Sequence, residues 1–264
     1  MDHVQRLPVE DAGETIVGWV EGPTDGPEMM LMFHLDTFDV CDGWDTDPFE
    51  TVREGNKLFG LGIHDMKGGG ACILGALEAI VQSKVKLGGR LYIVATTDEE
   101  NWSRGAHEVI NSGLLKRCAC GLNPEPTARG EVRVGQRGRH VFHLTLKGKT
   151  VQASYDHDEG INAVVDAAKI VTALDRIPLN ELGVNEEYNI TGNMAVTSIQ
   201  GGSTMIQIPE RAHIYIDSHT IPGQTPESIA EFLRTVIEET NIKSTVDIQW
   251  DNRPAPVGFY EAAP

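Results

Sequence analysis

No stretch of the sequence approaches the ~20 uninterrupted apolar residues that a membrane-spanning helix needs. The opening residues, MDHVQRLPVED, lack the basic start and apolar core of a secretion signal. Cysteine is scarce: Cys41, Cys72, Cys118 and Cys120 fit neither an extracellular disulfide framework nor a structural zinc site. These features predict a cytoplasmic chain with no membrane partner. Basic residues are also few, 22 against 39 acidic ones, and the net charge of -17 disfavours nucleic acid, polyphosphates and anionic membranes as partners. Low-complexity tracts and short-period repeats are absent. At 264 residues the chain can bury a full core and form two modest domains.

What is present is a series of polar residues placed one by one at the ends of apolar runs. In MMLMFHLDTFDV the run stops at His34, with Asp36 two places on; in RLYIVATTDEENWSRGA another stops at Glu99 and Glu100. Asp65 stands in GLGIHDMKGGG and Glu125 in NPEPT. Open α/β sheets bind ligands beyond the carboxyl ends of their strands, so residues at such ends are the strongest site candidates. Singly, each has an ordinary reading: Asp65 as a helix cap, the Glu pair as a solvated turn, Glu125 as a loop carboxylate, His34 and Asp36 as a satisfied hydrogen-bonding pair. Together, one histidine with several carboxylates and no thiolate suits zinc, cobalt or manganese. A nucleotide-binding reading of GLGIHDMKGGG is a third alternative, disfavoured because its glycines lack dinucleotide spacing and no phosphate-loop Lys-Ser or Lys-Thr follows.

The periodicity predicts paired strands at GETIVGWVEG and EMMLMFHLD, a helix over MKGGGACILGALEAIVQS, a strand at 90–97, a helix near 104–114 and a short strand at 118–122, which is α/β order. The glycines opening the first helix would permit close packing beside the site. After VGQRGRH the rhythm changes: a strand at 140–148, a helix at 161–176, strands at 192–200 and 206–217, a helix at 226–239 and a strand at 244–250. That β-α-β-β-α-β order is the ferredoxin-like motif.

The segments from His34 through GWDTDPFE, NKLFGLGIHDMKGGGA, TTDEENWSRGA and NPEPT, and on into GINAV, IQGGSTMIQIP and DSHTIPG, resemble the zinc peptidase and deacylase family of acetylornithine deacetylase, succinyl-diaminopimelate desuccinylase, aminoacylase, carboxypeptidase G and peptidase T. The likeness covers about residues 28 to 240. It implies an α/β fold with a zinc-peptidase-like catalytic domain in 1–135, an inserted ferredoxin-like α+β lid or dimerisation domain in 136–250, and the start of a return to the catalytic domain in 251–264. It implies two divalent metal ions, with His34 and Glu125 on one, Glu100 on the other, and Asp65 bridging both. Glu99 would be the general base and Asp36 would orient the His34 ring. A cis peptide after Asp65 is a further expectation.

Departures from the family pattern gather in the predicted inserted domain. Gln152 stands where a histidine usually stabilises the oxyanion, Gln207 where an asparagine is usual, and His219 where an arginine often holds the substrate carboxylate. These three are the candidate substrate contacts. The resemblance also includes an N-terminal helix and a last metal-binding histidine after the inserted domain, neither of which the sequence shows, so the C-terminal part of the catalytic domain is expected to be lacking. The reading is therefore a metallohydrolase of N-acyl amino acids or small peptides, as a homodimer through the inserted domain or with a complementing chain. The alternative is a catalytically impaired relative or subunit that binds ligand or completes its site with a partner.

Overall fold

In a computed structural model, residues 3–251 are described apart from 129, 134 and 156. The return to the catalytic domain expected over 251–264 lies, beyond Asp251, outside the described residues. The chain divides into two compact units, Met1–Val132 and Arg133–Pro264.

The first unit opens with strands β1 (His3–Val9) and β2 (Gly13–Val20), followed by β3 (Glu28–His34) and a small hairpin of β4 (Val52–Glu54) and β5 (Lys57–Phe59). An irregular turn, Ile63–Lys67, leads into helix α1 (Gly68–Ser83); β6 (Leu91–Thr96), α2 (Arg104–Ser112) and β7 (Cys118–Leu122) complete it. The main sheet runs β1-β2-β6-β3-β7, with β3 parallel to β6 and β7, and β2 antiparallel to β1 and β6. All six residues of β6 are buried, as a central strand covered on both faces requires. On one face Leu31, Phe33, Ile93 and Ala95 pack with Ile73 and Leu77 of α1; on the other Val17, Tyr92 and Val94 pack with Val109 of α2.

The strand segments expected around 13–22 and 28–36 are present, but they do not pair with each other. The β3-α1-β6 crossover sets β6 beside β3 in parallel, and β6 then takes β2 as its other neighbour.

The second unit contains β8 (Gly138–Lys147), α3 (Ala163–Asp175), the short strands β9 (Val184–Asn185) and β10 (Ile190–Thr191), then β11 (Asn193–Gly201), β12 (Arg211–Thr220), α4 (Pro226–Glu239) and β13 (Thr245–Trp250). Its four-stranded sheet is antiparallel throughout, in the order β11-β12-β8-β13, the arrangement of a ferredoxin-like fold. Both helices cover one face: Phe142, Leu144 and Leu146 of β8 and Ile214 and Ile216 of β12 pack with Ile170 and Leu233. The Asn162 side chain caps α3 by accepting from the amides of Val164 and Val165, and Thr225 and Ser228 form a reciprocal cap on α4. The strand expected from residue 206 begins only at Arg211. Residues 206–208 instead lie along 151–153 through the amides of Ala153 and Ile208. Among the described residues, no helix is long and apolar enough to cross a membrane.

Candidate metal centre

Three parallel strands end at one edge of the first unit, and each delivers part of a polar cluster. His34 closes β3 and is 1% exposed. Its Nε2 lies 3.0 Å from Asp65 Oδ1, 3.8 Å from Glu125 Oε2 and 3.9 Å from Glu99 Oε2. His34, Asp65 and Glu100 each offer a ligand atom, all within 4.8 Å of one another. Glu99 and Glu100 follow β6, and Glu125 follows β7. The side chains of Asp65, Glu99 and Glu125 are partly exposed, so a small molecule can reach them.

Local structure explains this convergence. His34 Nδ1 donates to the backbone carbonyl of Asp36 at 3.0 Å, and because a carbonyl only accepts, Nε2 is the atom turned towards the carboxylates. The Asp36 carboxylate, expected to orient the ring, stands 3.7 Å from Nδ1 and is engaged elsewhere, accepting from the amides of Glu99 and Glu100 at 3.1 and 3.0 Å. One acidic side chain thus ties the end of β3 to the loop after β6. Asp65 lies in the irregular turn before α1, where the Asp65-Met66 peptide is cis. The His34 amide donates to Met66 Sδ at 3.4 Å. A Cβ on Gly69 would come within 2.6 Å of the Pro124 carbonyl oxygen, and one on Gly70 within 2.6 Å of the Phe33 ring. Only glycine lets the start of α1 close on the neighbours of Glu125 and His34.

The loop carrying the two glutamates has a second anchor that the sequence did not reveal. Asp98, with φ of 62°, is buried, and its carboxylate accepts from Arg104 Nε at 2.7 Å and Nη2 at 2.9 Å. Arg104 Nη1 donates onward to the Glu10 carbonyl. An aspartate six residues before an arginine across a turn is too common a pattern to have signalled this clamp.

The electrostatics of the cluster favour a cation. Burial, then the charges of Asp65 and Glu99, push Glu100 up to about 7, and burial likewise raises Glu99. Burial alone would lower His34, but its interactions with Glu125 and Asp65 outweigh this and raise it to about 9. The cluster therefore holds protons where bare carboxylates would repel. Glu100 Oε1 is buried without a hydrogen-bond partner, an unpaired acceptor that a divalent cation would satisfy. One imidazole among carboxylates is a donor set suited to such an ion.

In the second unit, Gln152 and Gln207 come together as a backbone bridge. Thr204 Oγ1 donates to the Gln207 side chain at 3.2 Å. His219 is near the far end of β12, opposite Asn193 and Arg139 and 3.6 Å from Asp217 Oδ2. The length of β12 therefore separates it from the Gln152-Gln207 bridge.

Comparison with known proteins follows the same lines. The crystal structure of human carnosine dipeptidase 1 superposes with a TM-score of 0.73 at 14% identity, covering 99% of this chain and 70% of that one. The dipeptidase Dug1p from Saccharomyces cerevisiae gives 0.75 at 14% identity, covering 99% and 68%. Acetylornithine deacetylase of Pectobacterium carotovorum subsp. carotovorum (strain PC1) is 30% identical over 240 residues, which is 89% of this chain and 61% of the relative. The chain thus spans a little under two thirds of that relative's length. Residues 30–259 match the profile of Peptidase family M20/M25/M40, and the chain belongs to that family.

Proposed function

We propose that this protein is a metal-dependent hydrolase of amide bonds in N-acyl amino acids or small peptides. The observation that carries the reading is the meeting of His34, Asp65 and Glu100 within 4.8 Å, with Glu99 and Glu125 beside them. His34, Glu125 and Asp65 would hold one divalent ion and Asp65 and Glu100 a second, zinc fitting best and cobalt or manganese also suiting the donors. Such ions supply Lewis acidity, lowering the pKa of a water towards ~7 and polarising a carbonyl oxygen.

The chain's own residues do the rest. Glu99 is close to the cluster yet not fully enclosed, and its raised pKa suits a group that first accepts a proton and later returns it. It takes a proton from water as the oxygen attacks the amide carbon, then delivers it to the departing nitrogen. Asp36 holds the amides of Glu99 and Glu100, so base and ligand stay in register. In the second unit, the reading makes Gln152 a neutral donor to the oxyanion and Gln207 and His219 further substrate contacts. That unit would be an inserted lid and dimerisation domain of a cytoplasmic enzyme.

The test is hydrolysis of a panel of N-acetyl amino acids, including N-acetylornithine, and dipeptides by the zinc-reconstituted chain, read as free amine. Turnover lost on chelation and restored by zinc supports the reading. A second reading, a subunit that binds ligand but needs a partner for turnover, is favoured by Gln152, an amide that cannot become an imidazolium. Tight zinc binding without turnover on any substrate would support it.

A further inference from the structure

Strands alternate their side chains, so the helix-covered face of the second sheet takes Phe142, Leu144 and Leu146 from β8 and Ala212, Ile214 and Ile216 from β12. The opposite face receives His143 and Thr145, His213 and Tyr215, and Asp247 of β13. The register places His143 opposite Tyr215 and Thr145 opposite both His213 and Asp247, so the two histidines are diagonal neighbours. His143 Nε2 and His213 Nδ1 are 3.1 Å apart. The Tyr215 ring stacks on His143 with centroids 4.4 Å apart and planes 6° apart, and Thr145 Oγ1 stands 3.4 Å from His213 Nδ1.

We propose that His143 and His213 form a second transition-metal site, on the open face of this sheet and distinct from the cluster of the first unit. Two nitrogens each ~2.0–2.1 Å from one tetrahedral ion stand about 3.3 Å apart, so the pair already has the spacing of a chelate. On binding, the proton between the two rings moves to the other nitrogen of the ring that carries it, so that His143 Nε2 and His213 Nδ1 both meet the cation as neutral lone pairs. Each histidine sits inside a paired strand, and stacking fixes the His143 ring, so little conformational freedom is lost on binding. Asp247 on the same face adds a negative charge next to Thr145. Two imidazoles select a borderline divalent ion such as zinc over calcium or magnesium, which prefer oxygen. The site does not depend on the proposed hydrolase activity.

Zinc titration of the full chain carrying Asp65→Asn and Glu100→Gln, to suppress uptake in the first unit, tests this through the imidazole nitrogen NMR signals. The site requires His143 Nε2 and His213 Nδ1 to shift together and saturate near one equivalent. In a His213→Gln variant, His143 should need at least ~10-fold more zinc, since losing a ligand costs no less than losing a supporting contact. Magnesium should move neither signal. Both nitrogens unmoved at roughly millimolar zinc, or a His143 response unchanged by His213→Gln, would overturn the proposal. The first of these needs no variant at His213, so a folding defect there cannot obscure the answer.

Discussion

Replacing Asp36 tests how the centre is assembled. Its two carboxylate oxygens accept from the amides of Glu99 and Glu100 at 3.1 and 3.0 Å. Asparagine keeps one acceptor but turns an NH2 group on the other amide, so one charge-assisted bond is lost and the remaining one becomes neutral. Bonds to charged groups contribute about 1.5–3 kcal/mol and neutral ones about 1 kcal/mol, which puts the direct loss at about 2–5 kcal/mol. The side chain is 21% exposed, so water recovers part of that. The part felt at the centre should be that of a supporting contact, a fall of ~10- to 100-fold in zinc affinity. Asp36→Ala removes both acceptors and should be worse than Asp36→Asn. The assay is competition for zinc against a chromophoric chelator, with melting of the metal-free protein as the folding control. Zinc affinity unchanged in both variants would refute the claim that this carboxylate sets the positions of Glu99 and Glu100.

Glu99→Gln should reduce hydrolysis by ~10²- to 10⁴-fold while zinc content by mass spectrometry stays at the wild-type level; full turnover in the variant would remove Glu99 as the base. Zinc uptake at pH 7 should expel protons, because His34 titrates at about 9 and Glu100 at about 7 in the metal-free site and both must be deprotonated to bind. Affinity should accordingly rise with pH through that window, and calorimetry in buffers of different ionisation enthalpy should detect the release; a buffer-independent heat would contradict it. Arg104→Ala should destabilise the protein by about 2 kcal/mol, less than for a fully buried pair because Arg104 is a third exposed. The hydrogen bonds from Arg104 hold Asp98 below the usual carboxylate range, so their stabilisation is present above the unfolded pKa of ~3.9 and is lost as pH falls through the folded value. Urea midpoints measured down the acid range should therefore converge for wild type and variant, and a constant difference would exclude the assignment.

The site was legible in the sequence where chemistry and strand ends coincide. His34, Glu99, Glu100 and Glu125 each follow an apolar run closely enough to be read as delivered to one edge, and the glycines after Asp65 read as a close approach. The ferredoxin-like order of the second unit was legible because α4 and β13 have clear periodicity and bounded ends. Sheet neighbours were not, since β2 and β3 carry no local mark of the crossover that brings β6 between them. The real partners of Asp36 were hidden for a related reason: the amides it accepts from are 63 and 64 residues away and leave no trace in side-chain identity. The pairing of His143 with His213 was equally hidden, because it depends on the register of β8 against β12.

The most direct test of the metal centre is anomalous diffraction at the zinc edge from crystals of the zinc-loaded protein. The expected result is a peak within ~2.0–2.2 Å of His34 Nε2 and of carboxylate oxygens of Asp65 and Glu125, with Glu99 close by but not coordinating. Zinc bound in the first unit without His34 and Asp65, or a centre that takes up none at saturating zinc, would contradict it.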